Sequence, residues 1–104
     1  MESVYEVCLK QVLMDDGLNV KSQVVVPVCF KGEILDKEFI IDILVENEIV
    51  LELKSVEVIL QVHEAQLVTY LKLANKRLGL LINFNVLLLK DGIRRRINGK
   101  FADK

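Results

Sequence analysis

The sequence predicts an α/β fold, a mixed β-sheet flanked by helices in the order α-β-β-β-α-β, within a single domain spanning residues 1–104. Three observations carry that expectation. Apolar residues recur at helical spacing on both sides of a strand-rich centre. Three strand-like runs in that centre are separated by two short polar turns. A strand-helix-strand succession follows, which requires a right-handed crossover and so a parallel pair. An apolar content of 52% is enough to bury a core without disulfide or metal staples.

In the first helix, Val4, Tyr5, Cys8, Leu9, Val12 and Leu13 repeat at the spacings of an amphipathic face, and Gly17 is placed to end it as the residue past the C-cap. Only Met1 precedes Glu2, so this helix either lacks an N-cap or once had more chain in front of it. Residues 23–30 read as a strand, and Pro27 inside it argues for an edge position because proline cannot donate to a second neighbour. Lys31-Gly32-Glu33 is a hairpin turn. Strands over residues 38–45 and 49–56 come next, joined at Glu46-Asn47-Glu48. Residues 62–74 have helical spacing through Leu67, Leu71 and Ala74, and "RLGLLINF" is a buried strand. A short turn near Leu88 and a last strand over residues 93–98 complete the order, with no internal repeat, low-complexity segment or interdomain linker.

Composition narrows the function classes. Apolar runs such as "VVVPVCF" and "LGLLINFNVLLL" are too short, or too interrupted by Asn, to span a bilayer, and no basic region precedes an apolar signal core. No membrane contact and a cytoplasmic location are expected. Cys8 and Cys29 lack metal-ligand spacing and each lies in an apolar pattern, so reduced core thiols are expected. A net charge of −1 gives no global attraction to nucleic acid, yet "KDGIRRRINGK" concentrates Lys90, Arg94, Arg95, Arg96 and Lys100. Any polyanion contact is therefore local, and a solvated basic terminus fits the same residues.

The stretch "IIDILVENEIVLELKSV" places Asp42, Glu52 and Lys54 where the pattern demands burial. Alternation puts Asp42 on the face of Ile40 and Leu44, and Glu52 on the face of Val50 and Lys54, with Leu53 pointing the other way. If the hairpin closes about Asn47, Val45 pairs with Ile49, Leu44 with Val50, Ile43 with Leu51, and Asp42 with Glu52, leaving the two carboxylates roughly 5 Å apart at Cβ. Opposed like charges need a shared proton or a cation, and Lys54 can compensate only one of them. A divalent metal suits the pair better, since Mg²⁺ takes one or two carboxylates, keeps waters and meets a phosphate. The same residues also fit strand ends near solvent with Lys54 in a surface ion pair, and a register shifted by one would separate the carboxylates.

On the following helix, His63, Gln66 and Tyr70 at i, i+3, i+7 form a polar stripe beside the core stripe, as at the border of a cleft. Each also has a plainer reading: Gln66 as a surface residue, Tyr70 as packing, His63 as a helix-start residue.

Asp42, the turn, Glu52-Leu53-Lys54 and a helix carrying "QLVTY" together resemble the PD-(D/E)XK nuclease superfamily, in its branch with a Gln-x-x-x-Tyr helix. More narrowly, "ESVYEVCL", "LELKSV", "VHEAQLVTYLKL" and "RLGLLINFNVLLLKDGIRRRIN" resemble, over essentially the whole chain, the GxxExxR family of small bacterial and archaeal proteins. The resemblance implies a restriction-endonuclease-like αβββαβ core and a metal-dependent nuclease that hydrolyses phosphodiesters in nucleic acid, DNA foremost, with Mg²⁺ or Mn²⁺. By position, Asp42 and Glu52 would bind the metal with the Leu53 carbonyl as a third ligand, and Lys54 would polarise the scissile phosphate or position the attacking water. Gln66 and Tyr70 would support the site from the helix, with His63 and Glu2 accessory and Arg94, Arg95 and Arg96 contacting nucleic acid. Two features depart from the pattern: Ile41 replaces the proline of the superfamily's name, and the segment and glycine block that usually precede "LESVYE" are missing. The alternative from another class is a catalytically inactive module of the same fold that binds nucleic acid or a protein partner, as a homodimer for example.

Overall fold

A computed structural model describes residues 2–99; Met1 and residues 100–104, including Lys100 of the basic tail, lie outside the described residues. The first apolar pattern forms α1 (Glu2–Asp15). It ends as predicted: Gly17 has φ 86, its N–H donates to Met14 O at 2.9 Å, and the Leu18 N–H donates to Leu13 O at 3.2 Å. The second helix, α2 (Gln61–Ala74), closes in the same way on Asn75, with φ 56 and the Lys76 N–H donating to Leu71 O at 2.8 Å.

Between and after the helices lie β1 (Val20–Phe30), β2 (Glu33–Val45), β3 (Ile49–Lys54), β4 (Leu78–Asn83), a 3₁₀ turn (Leu89–Gly92) and β5 (Ile93–Ile97). They form one five-stranded sheet in sequence order β1-β2-β3-β4-β5. Among the described strands only β3 and β4 run parallel, joined through α2 as the crossover expectation requires. Edge strand β1 holds Pro27, beside a register shift. The strands differ from expectation in length. β1 starts three residues earlier than residue 23, β2 starts at Glu33 instead of residue 38, and β3 stops at Lys54. The first hairpin is thus a long arm whose outer part has no third strand beside it, because β3 pairs β2 only over Ile43–Val45.

Each face of the sheet buries one cluster. Ile41, Leu44, Val50 and Leu81 meet Leu67 and Leu71 of α2, while Ile43, Val45, Leu51, Leu53 and Ile82 meet Leu9 and Leu13 of α1. Leu67 and Leu71 are fully buried and each contributes about 1.5–3 kcal/mol, whereas α1 has no fully buried residue and lies more loosely on its face. Cys8 and Cys29 are free thiols, as expected, but both are exposed, so their expected place in the core fails. Cys8 falls outside the stripe that α1 turns to the sheet, and Cys29 lies on the hairpin arm beyond β3.

Candidate active site

The predicted register holds for Val45↔Ile49, Leu44↔Val50 and Ile43↔Leu51, and there the ladder stops. At the fourth position side chains take over the hydrogen bonding: the Leu53 N–H donates to Asp42 Oδ2 at 2.9 Å, and the Asp42 N–H donates to Glu52 Oε1 at 3.4 Å. The strands separate at the two carboxylates, and each carboxylate bonds across the gap to the other strand.

A face inversion in β2 coincides with this gap. Strict alternation puts Ile41 and Ile43 on one face, yet Ile41 packs with the α2 cluster and Ile43 with the α1 cluster. On the partner strand, Val20 belongs to the α1 side and Val24 to the α2 side. The turnover sits at Gln23, whose φ is 52, and the Gln23–Asp42 pair is skipped although the register is the same on both sides. The expected common face of Ile40, Asp42 and Leu44 is therefore broken: Leu44 packs in the α2 cluster, whereas Asp42 lines a cleft with Glu2 and Glu6 of α1.

Burial is the largest effect on both acids. It pushes Glu52 up to about 8, with the Asp42 carboxylate adding to the rise and the Asp42 N–H and Lys54 opposing it. Asp42 is also raised, by burial first; the Leu53 N–H opposes, Glu6 and Glu2 add, and Lys54 lowers. Glu52 is only 8% exposed, which removes the solvent-exposed strand-end reading. Lys54 is half-buried and acts on both acids electrostatically, but no ion pair ties it to a described residue.

Both helices are pinned to this end of the sheet by aromatic stacks. Tyr70 of α2 lies on Phe39 of β2 with centroids 4.5 Å apart, and Tyr5 of α1 lies on Phe84 at 4.3 Å. The Phe84 N–H in turn donates to Lys54 O at 2.9 Å. Gln66 Nε2 donates to the Tyr70 hydroxyl at 3.0 Å, and Tyr70 is raised by burial and then by the Glu52 and Asp42 carboxylates. The Gln66-Tyr70 pair thus faces the acids, whereas His63 is occupied at the helix start, its Nδ1 accepting the Leu60 N–H at 3.0 Å.

From the other side, Glu2 accepts the Ser55 N–H at 3.0 Å. A cleft of about 420 Å³ is lined by Glu2, Ser3, Glu6, Gln23, Asp42 and Leu53. Glu6 and Gln23 had not been singled out, yet Gln23 Nε2 donates to Glu6 Oε1 at 2.6 Å beside Asp42. Glu6 had a readable signal, one helical turn after Glu2; Gln23 had none without the inversion. Asn83 was also overlooked: buried opposite Lys54, it clamps Val56 by accepting its N–H at 3.0 Å and donating to its carbonyl at 2.8 Å.

The basic run does not form one patch. Arg94 and Arg96 register with Leu81 and Gly79 on the α2 side, Arg95 with Leu80 on the α1 side, and Arg96 is ion-paired with Glu64. Arg94 bonds the Asp91 carbonyl at 3.1 Å. Arg95 instead lines a larger hollow at the opposite end of β3, away from the acids.

Among the described residues no three His, Cys, Asp or Glu side chains form a metal cluster. The donor set that does exist, two carboxylates beside the Leu53 backbone, fits Mg²⁺ or Mn²⁺ completed by waters and phosphate oxygens. Two adjacent acids, Glu52 raised by burial and by the Asp42 carboxylate and Asp42 raised by burial and by Glu6 and Glu2, are what such a cation would relieve. No described helix is long and apolar enough to cross a membrane.

A family model for the PD-(D/E)XK nuclease superfamily matches residues 1–96. No curated protein matches. Among solved structures, the crystal structure of SSO0001 is similar with a TM-score of 0.62 and 22% identity over 91% of this chain. The chain covers 48% of SSO0001, about half its length, and the likeness is one of fold. Members of the superfamily generally use divalent metals. With a five-stranded mixed sheet flanked by helices in a restriction-endonuclease-like arrangement and a match over nearly its whole length, the chain belongs to the PD-(D/E)XK nuclease superfamily.

Proposed function

We propose that this protein is a metal-dependent phosphodiesterase of the GxxExxR type that hydrolyses nucleic acid, DNA foremost. The observation that carries this reading is the gap in the β2–β3 ladder, where Asp42 and Glu52 bond across the opening with Lys54 two residues further along β3. Asp42, Glu52 and the Leu53 carbonyl would hold Mg²⁺ or Mn²⁺. When bound, the ion would activate a water for attack on phosphorus and neutralise charge developing on the phosphoryl oxygens.

The protein's own groups do the rest. The hydrogen bond from Leu53 N–H fixes the Asp42 carboxylate in the gap, so its second oxygen is oriented without further loss of side-chain freedom. Lys54, unpaired with any described carboxylate, presents its ammonium to a phosphate oxygen or to the attacking water. Tyr70, held by Phe39 and Gln66, closes the α2 side and keeps water from the acids. Glu2 and Glu6 line the cleft on the α1 side, where they keep Asp42 proton-hungry until a cation arrives.

The test incubates the purified protein with plasmid, single-stranded DNA and RNA in Mg²⁺, Mn²⁺ or EDTA, beside Asp42→Ala and Lys54→Ala. Cleavage in Mg²⁺ or Mn²⁺ that stops in EDTA and falls at least ~10²-fold in both variants is expected. Absence of cleavage in every metal, or equal cleavage by the variants, overturns the enzyme reading; binding without cleavage would leave a non-catalytic module of this fold.

A further inference from the structure

The larger hollow, about 540 Å³, opens where β3 begins, and its chemistry is the reverse of the acid cleft. Lys76, Arg77 and Arg95 line it, and among the described residues Glu48 is the one carboxylate that does. Its apolar floor includes Leu78 and Ile97. The rim is braced from beneath by Asn98, which is fully buried: its N–H donates to Arg77 O at 2.8 Å and its Nδ2 donates to Lys76 O at 3.1 Å. Lys76 Nζ is itself held by the Asn47 carbonyl at 2.9 Å, so its charge is fixed at the edge of the hollow. Neither Arg77 nor Arg95 is ion-paired with a described residue, although Arg96 next to them is.

We propose that this hollow is a second ligand site that takes a nucleoside phosphate, either free or as the phosphorylated end of an oligonucleotide. Two exposed guanidinium forks on a braced backbone match phosphate oxygens bidentately, and Lys76 adds a point charge. The volume lies within the range of small-ligand pockets, and the apolar floor suits a base or sugar face where a bare anion would have nothing to cover. Five residue steps along β3 place it roughly 17 Å from Lys54, too far for its phosphate to be the one at the acids. The site therefore stands whether or not the acid centre cleaves.

The experiment is calorimetric titration in EDTA at low salt with inorganic phosphate, AMP, ATP, and a short oligonucleotide with and without a 5′-phosphate. AMP or ATP, or the phosphorylated oligonucleotide over its unphosphorylated form, should bind at least tenfold more tightly than inorganic phosphate. A preference for the free nucleotides identifies a small ligand, and a preference for the phosphorylated oligonucleotide identifies a strand end. Arg77→Ala and Arg95→Ala should each weaken binding tenfold or more, while Lys37→Ala, a charge-matched change on the hairpin arm, should not. Both arginines are exposed, so melting temperatures should match the wild type. The proposal is overturned if no phosphate compound binds, if inorganic phosphate binds as well as the nucleotides, if folded arginine variants bind normally, or if Lys37→Ala weakens binding equally.

Discussion

At its first residue β3 borders a cationic hollow, and at its last three it carries Glu52, Leu53 and Lys54 beside Asp42. The ladder is intact at the first end and broken at the second. At the hollow the charges are carried mostly on exposed side chains over a braced backbone; at the acids Glu52 is buried, and Asp42 and Lys54 half-buried, where two strands part. Exposed cations on a rigid rim suit binding that changes no protonation, whereas buried, mutually repelling acids store an electrostatic penalty that a cation can relieve.

The sharpest way to break the contrast is Glu52→Gln. It removes one proposed metal ligand while the amide can still accept from the Asp42 N–H. Cleavage should fall at least ~10²-fold, while melting of the metal-free protein at pH 9 should rise because a buried charge is gone. Activity and stability would then move in opposite directions. Unchanged cleavage, or a less stable metal-free protein at pH 9, would remove the acid end from the mechanism.

Gly92→Ala tests whether the acid end depends on its neighbouring support. A Cβ there would meet the Asn83 carbonyl oxygen at 2.1 Å, and backbone cannot give way as a side-chain tip can. Asn83 clamps Val56 just past Lys54, so the shift should travel toward the acids. A stability loss of about 1–3 kcal/mol by urea denaturation, with reduced cleavage, is expected. Cleavage at the wild-type level would show that the Asn83 clamp does not position Lys54.

Much of this was legible in the sequence because it followed regular periods. The β3–α2–β4 unit, the Val45–Ile49 turn and the Leu67/Leu71 stripe obey alternation or helical spacing, and the structure follows them. The opposition of Asp42 and Glu52 was readable for the same reason, as an extension of that register. The inversion at Gln23 was not, since a polar residue between Ser22 and Val24 carries no signal for a positive φ. The expected burial of Cys8 and Cys29 failed on a related point: apolar neighbours do not say which parity or which stretch of an arm is covered. The hollow was invisible because its cations come from the α2–β4 connection and from β5, meeting only in three dimensions.

pH offers a gentler probe of the acid end. Glu52 has an ordinary value of 4.5 and is raised to about 8, so the folded metal-free protein holds a proton that the unfolded chain has lost across that window. Its stabilising effect is complete below about 4.5 and disappears as pH rises through about 8, so stability falls with pH. Asp42, raised as well, acts in the same direction. In EDTA the melting temperature should drop between pH 5 and 8.5, and Mg²⁺ or Mn²⁺ should restore more of it at the higher pH, because the ion binds the ionised pair. A metal-induced rise that is the same at both pH values would contradict the shared-carboxylate site.

The smallest expected effect separates conformation from contact at the inversion. Gln23 sits at φ 52, where a β-branched residue is strained and glycine is not, and its side chain also bonds Glu6. Gln23→Ile should lose about 1–2 kcal/mol, because it cannot adopt that backbone without strain and forfeits the bond. Gln23→Gly forfeits the same bond but relieves the backbone, so the two changes should nearly cancel and leave stability within about 1 kcal/mol of wild type. If both variants lose the same amount, the Glu6 bond is what matters and the face inversion is not held by the left-handed residue. If only Gln23→Ile is destabilised and its cleavage also falls, the backbone turnover at Gln23 sets the β2–β3 gap in which Asp42 meets Glu52.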